Sequence, residues 1–276
     1  MMVIMMLKKR VISAVIGILL LFLLVFSGSF VFFLTAAVIA ALGIREFAGI
    51  LEIKSNFLKL ILYISSIMLV FNSYLITNDY NYLPYGIILF IIILSLYLYQ
   101  LFNYSENDFM KNISYQFFGI IYIAGGLSFA VFLHDFSAPP FFNTTALWFV
   151  LTATWITDTG AYFTGKKFGK KSMAPIISPN KTVAGAVGGI FTTALFIIFI
   201  TLSFNIFNIY WFVFAVSFPI VAIVGDLFES CLKRNFNIKD TGTIIPGHGG
   251  ILDRFDSFIF TAPFTYYFFY IMLVLN

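Results

Sequence analysis

Charge is scarce in this chain: only 10% of its 276 residues are Asp, Glu, Lys or Arg, against roughly 25% in soluble globular domains. So little polar surface cannot cover a water-soluble particle, and that class is excluded. A single cysteine, Cys231, rules out an internal disulfide, and with only two histidines no Cys or His metal spacing is present. No low-complexity tract or short repeat period occurs, which excludes disordered and fibrous readings. What the chain has instead is apolar length. Hydrophobic residues make up 61% of it and aromatics 20%, with 37 Phe and 15 Tyr, and the mean hydropathy is +0.99. That composition suits acyl chains and headgroups. The class that remains is an all-α polytopic membrane protein.

A bilayer core of about 30 Å takes roughly 20 apolar residues per helix. Apolar runs separated by polar breaks predict nine transmembrane helices, near 11–27, 29–50, 57–76, 83–102, 112–133, 144–163, 183–203, 209–232 and 255–275. The basic start and Leu-rich first run also fit a cleavable signal peptide. A second span follows directly after Ser27-Gly28-Ser29, so the first run is read as a span.

Nine spans alternate the connectors between two sides, and the basic residues then sort cleanly. Lys8, Lys9 and Arg10 precede the first span; Arg45, Lys54, Lys59 and Lys111 follow; Lys166, Lys167, Lys170, Lys171 and Lys181 fill the sixth connector; Lys233, Arg234, Lys239 and Arg254 lie in or beside the eighth. All 16 fall on one side. By the positive-inside rule that side is cytoplasmic, with the N-terminus inside and the C-terminus outside. Residues 1–110 read as a transmembrane scaffold of about four helices, and 111–276 as a catalytic half of about five. The catalytic half carries two long cytoplasmic loops, 165–182 and 233–254, and long loops in a compact protein tend to carry function.

Asp226, Glu229, Ser230 and Lys233 recur at helical spacing near the cytoplasmic end of the eighth span, which places them on one face. A carboxylate inside a span costs several kcal/mol unless paired, hydrated or bound to metal. Glu229 and Lys233 also fit a plain i,i+4 pair, whereas Asp226 lies deeper, with no basic residue within four positions. Asp253, Arg254 and Asp256 open the ninth span; one of the two acids could be a helix cap. With Asp226 they form a candidate hard-cation site, since Mg²⁺ takes a few carboxylate oxygens and fills its other positions with water and phosphates. Asp158 in the sixth span is a further acid at depth. Ser178, Lys181 and Thr182, at the entry to span seven, are the groups that bind phosphate at a helix N-terminus. The run Pro246-Gly247-His248-Gly249-Gly250 allows tight turns whose N–H groups can cradle an anion, and His248 there suits a structural or hydrogen-bonding role. Gly185 and Gly189 read as close helix packing, and Arg45 with Glu46 as an interfacial pair. Acids for a metal, several cations and glycine turns, gathered on one face, suit a nucleoside triphosphate meeting a lipid phosphate. Phosphoryl and nucleotidyl transfer need no Ser/His/Asp set, because they depend on positioning and charge neutralisation.

The run Ser230-Cys-Leu-Lys233-Arg234, Lys239-Asp240, Gly242, Pro246, His248-Gly249-Gly250 and Asp253-Arg254-Phe-Asp256 resembles the signature of the phosphatidate cytidylyltransferases, or CDP-diacylglycerol synthases. The likeness continues upstream through Trp155, Asp158-Thr159, Ala161-Tyr162, Gly165, Gly169-Lys170, Ser178-Pro179 and Lys181-Thr182. Two positions depart from the pattern: Ala184 stands where the family usually has Glu, and Asn180 where it has Lys. The resemblance implies transfer of the cytidylyl group of CTP to phosphatidic acid in phospholipid biosynthesis. It also implies Mg²⁺ with a monovalent cation such as K⁺, a homodimer, a membrane-lipid partner and no nucleic acid. By it, Asp226, Asp253 and Asp256 would hold the metal. Together with Lys233 and Arg234 they form the expected catalytic set, and Asp158, Ser178, Lys181, Thr182, Lys239, Asp240, His248 and Arg254 the substrate-binding set. Two rival readings are a CTP-dependent kinase of polyprenol or phytol type, which would need a base for a hydroxyl, and an ion-coupled transporter relaying through Asp158, Asp226 and Glu229. The clustering of polar residues on one face, rather than along a path, speaks against transport.

Overall fold

The computed structural model describes residues 17, 19–104, 108–136, 146–245 and 249–275. Apart from one small hairpin, the regular structure is helical: α1 (Ser29–Ile50), α2 (Asn56–Thr77), α3 (Tyr85–Phe102), α4 (Phe109–Ile120), a π-helical turn (Ile121–Gly125), α5 (Gly126–His134), α6 (Ala146–Phe168), β1 (Ser172–Ala174), β2 (Ser178–Thr182), α7 (Val183–Ser203), α8 (Ile209–Asn235) and α9 (Leu252–Leu275). Seven of the described helical runs are long and apolar enough to cross a bilayer, counting Phe109–His134 as one. With no water in the bilayer core, only helices satisfy their own backbone. The chain is an all-α polytopic membrane protein. α6, read as the sixth span, is not among the seven: Asp158, the threonines and the terminal lysines lower its hydropathy. Residues 11–16 and 18 of the first expected span, and Lys8, Lys9 and Arg10 before it, lie outside the described residues.

Two compact units make up the described chain. The chemistry-bearing residues divide the sequence at 1–110 and 111–276. Packing groups the chain up to Asp135 with Asp240–Asp253, and Phe136–Lys239 with the chain from Arg254 onward.

In the first unit, α1 and α2 pack on each other and on the run Phe109–His134. Polar side chains in this apolar bundle find partners. Gln100 of α3 donates to Gln116 of α4 at 3.3 Å, and Ser55 caps α2 by accepting from the Leu58 N–H. His134, at the end of α5, sets Nδ1 2.6 Å from the Asp135 carboxylate and Nε2 3.0 Å from the Val25 carbonyl, with its ring stacked on Phe32.

In the second unit α7 packs along α6 and against α8. The buried face of α7 is Gly185, Gly189, Thr193, Ile197 and Thr201, every fourth residue, the row that carries ridges-into-grooves packing. A Cβ on Gly185 or Gly189 would stand 2.8 Å from the carbonyl oxygen of Ala161 or Thr157, so the backbones touch where those glycines lie, and Thr157 meets Thr193 across the seam at 2.8 Å. Below them Phe149, Trp211, Phe214 and Phe269 form an aromatic core. The connector after α6, expected as a loop over 165–182, is an antiparallel hairpin pairing Ser172 with Thr182 and Ala174 with Ser178. Lys166 and Lys167 extend α6 instead, where cations favour a helix C-terminus. Likewise α8 runs to Asn235, so Lys233 and Arg234 are helical.

Gly189→Ala drives a Cβ into a backbone oxygen that cannot rotate away, and should lower stability by about 1–3 kcal/mol. Gly49→Ala in α1, where the added Cβ meets nothing within 4 Å, should be neutral or stabilising. Thermal unfolding of the two variants in one detergent checks the contrast; equal melting points would contradict the close-packed seam.

Candidate active site

All elements around the main cavity belong to the second unit. Thr182 ends β2 and caps α7, its hydroxyl accepting from the Gly185 N–H at 3.1 Å. This cap fixes how the hairpin meets the helix. Arg234 ties the hairpin to the end of α8, donating from Nε to the Ile177 carbonyl at 3.1 Å and from Nη1 to the Ile238 carbonyl at 3.2 Å. Between hairpin, α6, α7 and α8 lies a cavity of about 590 Å³, into which Asp158, Tyr162, Lys166, Ser178, Lys181 and Asp226 contribute. Asn180 and Thr182 also line it. A space of that size lies within the range of small-molecule sites.

Lys181 crosses from the hairpin to α8: its ammonium stands 2.5 Å from Asp226 Oδ1 and 3.5 Å from the Ser230 hydroxyl. One turn on, Lys233 donates to Glu229 Oε2 at 3.2 Å, and Glu229 is fully buried. The i,i+4 pair expected from spacing is thus present, but it is an interior pair. α9 comes close to α8 at Gly225, where a Cβ would stand 3.0 Å from the Asp256 carbonyl oxygen. That approach brings Asp256 near Asp226, close enough for their charges to repel, and into hydrogen-bonding contact with Glu229. Asp158 feels the same two carboxylates, and Lys181 and Arg254 offset them. Three acids from three helices therefore share one neighbourhood, with cations beside them. Like charges at such range in a partly apolar setting need a compensating cation.

The other expected site residues are distributed as follows. Lys239 and Arg254 are exposed in the second unit. Asp240 and Asp253 belong to the first unit. There Asp253 Oδ2 accepts the Thr241 N–H at 2.9 Å, the Thr241 hydroxyl at 2.9 Å and the Gly250 N–H at 2.8 Å. That is the behaviour of a loop-organising carboxylate, one of the two roles open to the acids at 253 and 256. His248 lies outside the described residues. Among the described residues no three His, Cys, Asp or Glu side chains form a ready metal-holding group.

Sequence reasoning passed over three participants. Lys166 and Asn180 line the cavity, though neither is in the expected substrate-binding set. Glu46 does not pair with Arg45: it is buried, Arg45 is exposed, and adjacent helical residues point about 100° apart. Its depth in an apolar helix, the signal that singled out Asp226, could have found it.

A family profile described as the cytidylyltransferase family matches residues 8–272. The phosphatidate cytidylyltransferase of Bacillus subtilis is 46% identical over 128 residues, which is 46% of this chain and 48% of that protein. That of Staphylococcus saprophyticus is 46% identical over 117 residues, 42% of this chain and 45% of its own. These two alignments span about half the length of the relatives. The phosphatidate cytidylyltransferase of Haemophilus influenzae is 31% identical over 293 residues, covering 97% of this chain and all of that protein, 100%. The chain belongs to the cytidylyltransferase family.

Proposed function

We propose that the chain is a nucleotidyltransferase that moves the cytidylyl group of CTP onto phosphatidate, giving CDP-diacylglycerol and pyrophosphate at the cytoplasmic face of a bacterial-type inner or plasma membrane. The observation that carries this reading is the second unit's cavity. It is bounded by acids of α6 and α8 and by the hydroxyls and cation of β2, in a chain whose full-length relative bears the phosphatidate cytidylyltransferase name. Neither the lipid-kinase nor the transporter reading gains support from the comparisons.

In this reaction a phosphate oxygen of phosphatidate attacks the α-phosphorus of CTP. The new P–O bond forms as the bond from the α-phosphorus to the bridging oxygen breaks, and pyrophosphate leaves with that electron pair. The nucleophile is already an anion, so no strong base is needed. The barrier is repulsion between two anions, which fixed cations lower. Lys181, Lys166, Ser178 and Thr182 line the cavity and would meet the triphosphate; the resemblance extends the proposal to Lys233, Arg234, Lys239 and Arg254, outside that lining, as offsets for further phosphate charge. Asp226 and Asp256 fit a hard divalent cation: their oxygens are the right donors, and their mutual repulsion is what such an ion would relieve. Bound there, Mg²⁺ would neutralise phosphate oxygens. Asp253, which the resemblance offers as a third ligand, has its Oδ2 engaged by the Thr241 and Gly250 N–H groups. The resemblance extends the proposal to a monovalent cation such as K⁺ and to a homodimer. The nine-span topology, with the N-terminus inside and the C-terminus outside, is supported by the one-sided distribution of all 16 basic residues.

Labelled CTP, phosphatidate and Mg²⁺ given to the purified protein should yield labelled CDP-lipid. Asp226→Asn keeps the side chain's shape and should lower turnover about a hundredfold or more, with the protein still folded and inserted; near-normal turnover would remove Asp226 from the site. For topology, single cysteines at Lys171 and Asn205 in a Cys231→Ser background should behave oppositely. An impermeant maleimide should reach Asn205→Cys in intact cells and Lys171→Cys only after the membrane is opened. The reverse pattern would invert the proposed orientation.

A further inference from the structure

Glu46 lies in the last two turns of α1 and is 6% exposed. Among the described residues no ion pair involves it. A buried carboxylate costs several kcal/mol unless its charge is met by donors. Here the donors come from the far end of the chain. Oε1 accepts the Ile251 N–H at 2.8 Å; Oε2 accepts the Leu252 N–H at 3.0 Å and the Thr241 hydroxyl at 3.2 Å. Ile251 and Leu252 precede and open α9, so their N–H groups are the otherwise orphaned donors of a helix start, where negative charge is favoured. Two glycines make the room. A Cβ on Gly242 or Gly250 would stand 2.5 Å from a Glu46 carboxylate oxygen. Thr241 links Glu46 to Asp253, and because its hydroxyl has one proton, the two carboxylates share it, with Asp253 at the shorter 2.9 Å.

We infer that Glu46 is a positioning residue for cytidylyl transfer. Through Ile251 and Leu252 it fixes the start of α9, and so the first turn that carries Arg254 and Asp256, and through Thr241 it is linked to Asp253 in that same turn. The inference rests on the reaction proposed above. Glu46 itself meets backbone rather than substrate, so its loss should disturb the aim of the first turn more than the binding of nucleotide.

The test uses the full chain in detergent with Glu46→Gln, which keeps the shape but sets an amide donor against backbone donors. The kcat should fall about tenfold to a hundredfold, as when a group that aims reacting atoms is lost, while KM for CTP changes by less than about threefold. Amide hydrogen exchange at Ile251 and Leu252 should accelerate at temperatures where the rest of the protein stays protected. Thr241→Val should lower kcat in the same direction, and the double variant should be no worse than Glu46→Gln alone, since both act through one network. Wild-type kcat in Glu46→Gln, unchanged exchange at Ile251 and Leu252, or a kcat loss matched by loss of folded protein would each overturn the inference. If the wild-type protein makes no CDP-lipid, the reaction reading fails, and exchange at Ile251 and Leu252 still decides whether Glu46 holds the helix start.

Discussion

Carboxylates inside an apolar bundle must be neutralised, and the architecture of the second unit follows from how that is done. Asp158, Asp226 and Asp256 come from three helices into one neighbourhood. Alone they would repel one another and resist burial. Lys181 meets Asp226 at 2.5 Å, and it does so because β2 carries it there. The hairpin is in turn held at one end by the Thr182 cap on α7 and at its tip by Arg234 of α8. Close backbone contact of α6 with α7 at Gly185 and Gly189 sets the seam from which the hairpin projects. Packing, local structure and charge thus form one chain of dependence that ends at the cavity.

The same physics recurs in the first unit with different means. The buried carboxylates of Glu46 and Asp253 each accept two backbone N–H groups, which meet negative charge with amide dipoles. A carboxylate held by a lysine can exchange that partner for an incoming metal ion, which leaves the lysine to meet a phosphate. One held by amides at a helix start is fixed in place. This difference separates Asp226, exposed to a cavity, from Glu46 and Asp253, which shape backbone.

The apolar runs were legible because bilayer-length hydrophobicity leaves little choice: 29–50 and 183–203 coincide with α1 and α7. The face formed by Asp226, Ser230 and Lys233 was legible from helical spacing alone. The hairpin was not, since Ser172–Ala174 and Ser178–Thr182 are short, contain or flank prolines, and show no alternating pattern; they are ordered by Arg234 and by the start of α7. Nor could spacing separate Asp253 from Asp256. Three apart on one helix, they differ only in what they meet, and those neighbours are set by folding. The depth of Glu46 in an apolar helix was visible in the sequence, but its partners, 195 to 206 residues away, were not.

The central claim is that Asp226 and Asp256 form a cation-binding pair that works with the nucleotide in the cavity. Mn²⁺ can stand in for Mg²⁺ and be followed by electron paramagnetic resonance as it is titrated into the protein with CTP. The account predicts saturable binding in the wild-type protein and its loss in Asp256→Asn, with the variant still folded. Mn²⁺ binding in Asp256→Asn equal to that of the wild type would contradict it.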